Sequence, residues 1–120
     1  MAIRDQEKRR EYHRAYMRRY LENPDTRAKH LARVRKNNAA QRDVAREVVA
    51  EFKKSGCVKC GESAFECLDA HHIDEATKDF DIGGATRWRY SPDRIREELS
   101  KCVCLCANCH RKVHAGTLTL

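Results

Sequence analysis

Cys57-Val-Lys-Cys60 and Cys106-Ala-Asn-Cys109 are two Cys-x-x-Cys knuckles in one chain of 120 residues, and the second runs directly into His110-Arg-Lys-Val-His114. Four thiolates in paired spacing are what a tetrahedral structural zinc needs, because each short knuckle lets two sulfurs approach one ion at about 2.3 Å. The spacing therefore ties two distant segments to one point. Residues four apart on a helix share a face, so His110 and His114 can converge on a second ion, and His71-His72 upstream can supply the rest. Two different metal sites side by side are expected, one of sulfur and one of imidazole.

Zinc matters here because little else can hold the fold. Charged residues make up 36% of the chain and aromatics only 7%, so the apolar core must be small. A structural zinc contributes about 10 kcal/mol of folding free energy in small peptides, which offsets what a thin core lacks. Seven cysteines are an odd number and no apolar signal segment precedes them, which predicts a reducing, cytoplasmic setting where thiols bind metal rather than form disulfides. No apolar run approaches the roughly 20 residues that cross a bilayer, so no membrane-spanning role is expected.

The charge is placed unevenly. Residues 1–56 carry 16 Lys and Arg against 8 Asp and Glu, whereas residues 57–120 carry 9 against 10. The chain is expected to divide there, into a basic helical arm at 1–56 and a metal-binding domain at 57–120. A basic surplus suits a polyanion such as DNA, since cations that neutralise phosphates release counterions and supply sequence-independent affinity. The alternative is a solvated helical face. Tyr12, Tyr16 and Tyr20, with Met17 and Leu21, make one apolar stripe on an Arg-rich helix, a pattern that serves packing or base stacking. That helix should stop near Leu21. Asn23-Pro24-Asp25 reads as N-cap, first helical residue and favourable acid, opening a second helix towards Lys54 that ends at Ser55-Gly56. Its buried part should be the last three turns, with Val44, Val48, Val49 and Phe52.

From Cys57 onward the elements are short. Gly61 suits the left-handed turn after the first knuckle. Leu68 to Ile73 reads as a strand, residues 74–90 as a polar loop pinned by Phe80, Ile82, Trp88 and Tyr90, and Ser91-Pro92-Asp93 as a capped helix start with Ile95 and Leu99 facing the core. Cys102 to Leu105 is a returning strand. Ala107 to Ala115 is the last helix, ended by Gly116. The expected class is α+β.

The order of knuckle, strand with paired histidines, returning strand, knuckle and His-x3-His helix resembles the HNH endonuclease family, whose catalytic unit is a zinc-stabilised, treble-clef-like ββα-metal finger. The matching segments are Cys57/Cys60, Leu68-Asp-Ala-His71-His72-Ile73-Asp74 and Leu105-Cys106-Ala-Asn-Cys109-His110-Arg-Lys-Val-His114. They cover about residues 57–116, and the basic leader is more loosely similar to that of small phage-type members, so a phage-encoded protein acting in a host cell fits the resemblance.

The resemblance implies a metal-dependent DNA endonuclease or nickase. His71, His110 and His114 match the ligands of a catalytic divalent ion (Mg²⁺, Mn²⁺, Ni²⁺ or Zn²⁺), and Cys57, Cys60, Cys106 and Cys109 those of structural Zn²⁺. His72 matches the general base, an imidazole that is neutral near physiological pH. Arg111 or Lys112 would support the charged phosphate. Neighbouring strand residues point to opposite faces, so His71 and His72 serve one phosphate only if it lies between them. Lys101 falls where the family usually carries the Asn that holds the base; it either approaches the phosphate or is structural while a neighbouring backbone carbonyl orients His72. Asp69 shares a strand face with His71 and either supports a ligand histidine or faces solvent. Cys67, Cys102 and Cys104 are expected to be small buried residues, with Cys104 a competing zinc ligand if the knuckles pair otherwise, and His13 and His30 surface or DNA-facing ones. The reading from a different class is a zinc-stabilised nucleic-acid-binding module without catalysis.

Overall fold

The computed structural model describes residues 5–85, 87 and 90–120. The fold is α+β, mostly helical with one two-stranded sheet. Its order is α1 (Gln6–Glu22), α2 (Pro24–Lys53), β1 (Leu68–His72), α3 (Ile82–Ala85), α4 (Pro92–Leu99), β2 (Cys102–Cys106) and α5 (Ala107–His114). None of these helices is long and apolar enough to cross a membrane. The chain forms two compact units, Met1–Asn38 and Ala39–Leu120, so their boundary falls inside α2.

The first unit is a helical pair made by its caps. Asp5 caps α1 through its side chain, and the Asn23 side chain accepts from the backbone N–H of Asp25 at 2.9 Å just before Pro24 opens α2. The Thr26 hydroxyl donates to the carbonyl of Tyr20, and the Tyr20 ring meets His30 edge-on at 6.4 Å. No residue of α1 is buried. Tyr12 and Tyr16 are exposed, with Tyr16 stacked on Tyr20 at 6.1 Å, so the tyrosine stripe decorates the helix rather than filling a core. Residues 1–38 hold 12 Lys and Arg against 5 Asp and Glu, and residues 39–120 hold 13 of each; the formal net charge of +7 thus belongs wholly to the first unit.

The second unit contains the core in two clusters. Ala45 and Val48 of α2 pack with Ile82, Ala85, Ile95, Leu99 and Cys102, while Cys57, Leu68, Cys104, Leu105, Cys106 and Cys109 form the other. Val48, Val49 and Phe52 contribute as expected, but Val44 is exposed and Ala45 takes the buried position. The compositional boundary at residues 56 and 57 therefore lies beyond the point where the compact unit begins. Gly56 turns the chain at φ 72°, where a Cβ would stand 3.0 Å from the carbonyl oxygen of Glu62. Gly61 likewise adopts φ 79°. The knuckle between them closes through Cys57 N–H to Glu62 O at 2.8 Å, and it docks on β2 through Val58 N–H to Cys104 O at 3.0 Å.

β1 and β2 are antiparallel, with Leu68 opposite Cys106, Ala70 opposite Cys104 and His72 opposite Cys102. The segment between the strands is more ordered than a loop. A 3-10 turn spans Glu75–Thr77 and α3 follows, with buried Ile82 and Ala85. Phe80 and Tyr90 stack at 3.9 Å, as expected of pinning residues, while Trp88 lies outside the described residues. The Ser91 side chain accepts from Arg94 N–H at the start of α4.

Candidate functional site

The two cysteine knuckles meet. Sulfurs of Cys57, Cys60, Cys106 and Cys109 all lie within 4.8 Å of one another, and those of Cys60 and Cys106 are 3.5 Å apart. Ligands about 2.3 Å from a tetrahedral ion stand about 3.8 Å from each other, so this set can hold zinc. Its electrostatics point the same way. Burial pushes the Cys57 thiol up, but N–H groups of Cys60, Cys106 and Lys59 aimed at its sulfur outweigh this and bring it down to about 6. The contact with Cys106, together with burial, pushes Cys109 up to about 12. Four crowded thiols cannot all ionise unless a cation lies among them. Cys102 and Cys104 are buried within β2, where burial pushes the Cys102 thiol up to about 11. Cys67 is exposed instead of buried, because it closes a surface 3-10 turn at Phe65–Cys67.

The histidines form a second cluster. Alternation along β1 puts Asp69 and His71 on one face, and α5 packs against both strands, setting His110 and His114 one helical turn apart beside His71. One ring nitrogen from each of these histidines lies within 4.8 Å of the others. Asp69 Oδ2 is 3.1 Å from His110 Nδ1. A carboxylate only accepts, so Nδ1 carries the hydrogen, and in the neutral ring His110 Nε2 then has the lone pair. That Nε2 is 3.1 Å from His114 Nε2, close to the roughly 3.4 Å between nitrogens sharing a tetrahedral ion at about 2.1 Å. Burial, then the neighbouring His110 and His114, lowers the pKa of His71, favouring the neutral form that ligates metal. A carboxylate behind a ligand histidine fixes its tautomer and ring orientation.

His72 points to the other face, into a buried network that sequence reasoning missed. Its Nε2 is 2.7 Å from Glu98 Oε1, and both side chains are almost wholly buried, at 5% and 1% exposure. The same carboxylate accepts from the backbone N–H of Asp79 at 2.9 Å and from Lys101 Nζ at 2.8 Å. Burial pushes Glu98 up, but Lys101, the Asp79 N–H and His72 overcome it and hold the carboxyl at about 2. An ionised Glu98 only accepts, so His72 Nε2 carries the hydrogen it shares with Glu98, and in the neutral ring Nδ1 is then the acceptor. Lys101 also donates to Thr77 O at 2.8 Å and to Asp79 Oδ2 at 3.1 Å. Its ammonium therefore clasps Glu98 and the 77–79 segment, and Glu98, rather than a backbone carbonyl, engages His72. The available signal was a charge at position 98 on the apolar face of α4, three residues after Ile95 and beside Leu99.

Both histidine arrangements open on one cleft of about 650 Å³, lined by Asp69, His71, His72, His110 and His114, with Arg46, Val49 and Lys53 of α2 and with Glu75, Lys78 and Asp81. Among the described residues the cations lining it are Arg46, Lys53 and Lys78, while Arg111 and Lys112 are exposed on α5. His13 is exposed on α1 and His30 is partly covered by Tyr20. Comparison of the chain with family models, curated proteins and solved structures finds no match in any of the three.

Proposed function

We propose that this chain is a metal-dependent DNA endonuclease or nickase of the HNH type, with a ββα-metal finger formed by β1, β2 and α5. The observation that carries this reading is the convergence of His71, His110 and His114, backed by Asp69, in the cleft that also holds His72. The cysteine set serves as scaffold. A divalent ion on the three imidazoles would supply Lewis-acid stabilisation of phosphodiester charge.

The chain's own residues account for the rest. Glu98 locks the His72 ring through Nε2, so Nδ1 is the basic nitrogen that takes a proton from water as oxygen bonds to phosphorus and the bond to the 3′ oxygen breaks, the departing 3′ oxygen taking a proton from solvent. Asp69 keeps His110 in the ligating tautomer. The +7 first unit supplies sequence-independent attraction to the DNA backbone.

Incubation of zinc-loaded protein with supercoiled plasmid and Mg²⁺, Mn²⁺, Ni²⁺ or Zn²⁺ tests the proposal. Relaxed or linear product is expected, and the His72→Ala variant should lose it while keeping its fold. Plasmid left intact under every metal would overturn it and favour a zinc-stabilised nucleic-acid-binding module.

A further inference from the structure

The cleft has a wall that the reaction chemistry does not use. Arg46, Val49 and Lys53 of α2 line it together with the histidines, and their spacing of three and then four residues puts them on one helical face. The acids of the cleft are already engaged. Lys78 holds Asp81 at 2.6 Å and approaches Glu75 at 3.9 Å, and Asp69 is on His110 at 3.1 Å. Arg46 is 67% exposed and, among the described residues, pairs only with Asp43, at 3.5 Å; an exposed pair of this kind is worth about 0–1 kcal/mol and exchanges readily. The Lys53 ammonium sits over the Phe65 ring, 4.5 Å from its centroid, and pairs with no carboxylate among the described residues. Phe65 thereby props the cation at the cleft while remaining 51% exposed itself.

We infer that this α2 face is the track along which one DNA strand is held across the metal cluster, with Arg46 and Lys53 each taking a backbone phosphate. The inference rests on the nuclease reading for the identity of the polyanion. Seven residues of helix rise about 10.5 Å, and phosphates recur about every 3.4 Å along the axis of one strand. The two cations therefore suit phosphates about three nucleotides apart. Val49 between them adds no competing polar group. The second unit has no net formal charge, so this positive wall is a local arrangement and not a by-product of the basic first unit.

The test is the salt dependence of binding by the full, zinc-loaded chain to a fluorescent 20-bp duplex, without added Mg²⁺ and with duplex integrity checked on a gel. Each lost phosphate contact should reduce the slope of log K against log salt by about 0.9. Arg46→Gln/Lys53→Gln should therefore lower it by about 1.8, and each single variant by about half of that. Arg46→Lys/Lys53→Arg should keep the wild-type slope. Lys54→Gln/Arg96→Gln, which removes two charges outside this cleft, should change it far less. An Arg46→Gln/Lys53→Gln slope within about 0.5 of wild type, in protein shown to be folded and zinc-bound, overturns the track. Plasmid cleavage by wild type is scored separately: an inactive wild type whose slope falls in the double variant refutes the nuclease reading but keeps the track, and an active wild type with an unchanged slope does the reverse.

Discussion

Glu98→Gln should destabilise the second unit by an amount that shrinks on acidification. The substitution keeps the side chain's size but removes the charge that accepts from His72, Asp79 and Lys101. Each pKa unit is worth about 1.4 kcal/mol, so a carboxyl carried from 4.5 down to about 2 by folding stabilises the native state by about 3 kcal/mol near neutral pH. A depressed folded pKa contributes stability that is complete above the unfolded value and is lost as pH falls through the folded one. At pH 4 the unfolded carboxyl is already about three-quarters protonated while the folded one is not, which removes about 0.8 kcal/mol. Gln can still accept one hydrogen bond and Lys101 keeps Asp79 and Thr77, so the net cost at pH 6 should be about 2–3 kcal/mol. Urea unfolding of zinc-loaded wild type and variant, followed by circular dichroism at pH 6, 5 and 4, measures the gap at each pH; acid effects on the cysteines are common to both proteins and cancel in the difference. A gap below about 0.5 kcal/mol at pH 6, or one that widens towards pH 4, would refute the assignment of Glu98 as an ionised, folded-state acceptor.

Three further outcomes are expected. Cys106→Ser should release the structural metal and abolish the folding of the sheet and α5, whereas His110→Ala should stay folded and lose cleavage; circular dichroism with metal analysis separates them, and loss of fold in both counts against two distinct sites. Asp69→Asn should weaken metal binding at the histidines by about 10–100-fold without loss of fold, as read by titration with Co²⁺, and an unchanged affinity would remove Asp69 from the site. Ile95→Ala, at a side chain with no exposure beside Leu99 and Ala45, should cost about 2–5 kcal/mol in urea unfolding; a cost under about 1 kcal/mol would mean that α4 does not anchor the core.

Much of the candidate site was legible because its signals are local. Cys-x-x-Cys dictates that two sulfurs reach one point, His-x3-His that two imidazoles share a helical face, and Asn23-Pro24 and Ser91-Pro92 that helices begin there. Each follows from the geometry of a single turn. The segment from 74 to 85 was less legible, since its 3-10 turn and short helix depend on partners elsewhere: Lys101 on the Thr77 carbonyl and Ile82 in the core. Cys67 and Val44 were misplaced because residue type says little about exposure at a turn or on one side of a long helix.

By itself, then, the amino-acid order determined which cysteines and histidines pair and where helices begin, because metal-ligand spacing and helix capping act over a few residues of backbone. Tertiary structure alone decided how those pairs are tuned. Strand register and the packing of α4, α5 and α2 against the sheet put Glu98 on His72, Asp69 on His110 and two cations of α2 beside the cleft. Such contacts join residues far apart in the chain, and they exist only when burial of the apolar faces has fixed where each element lies.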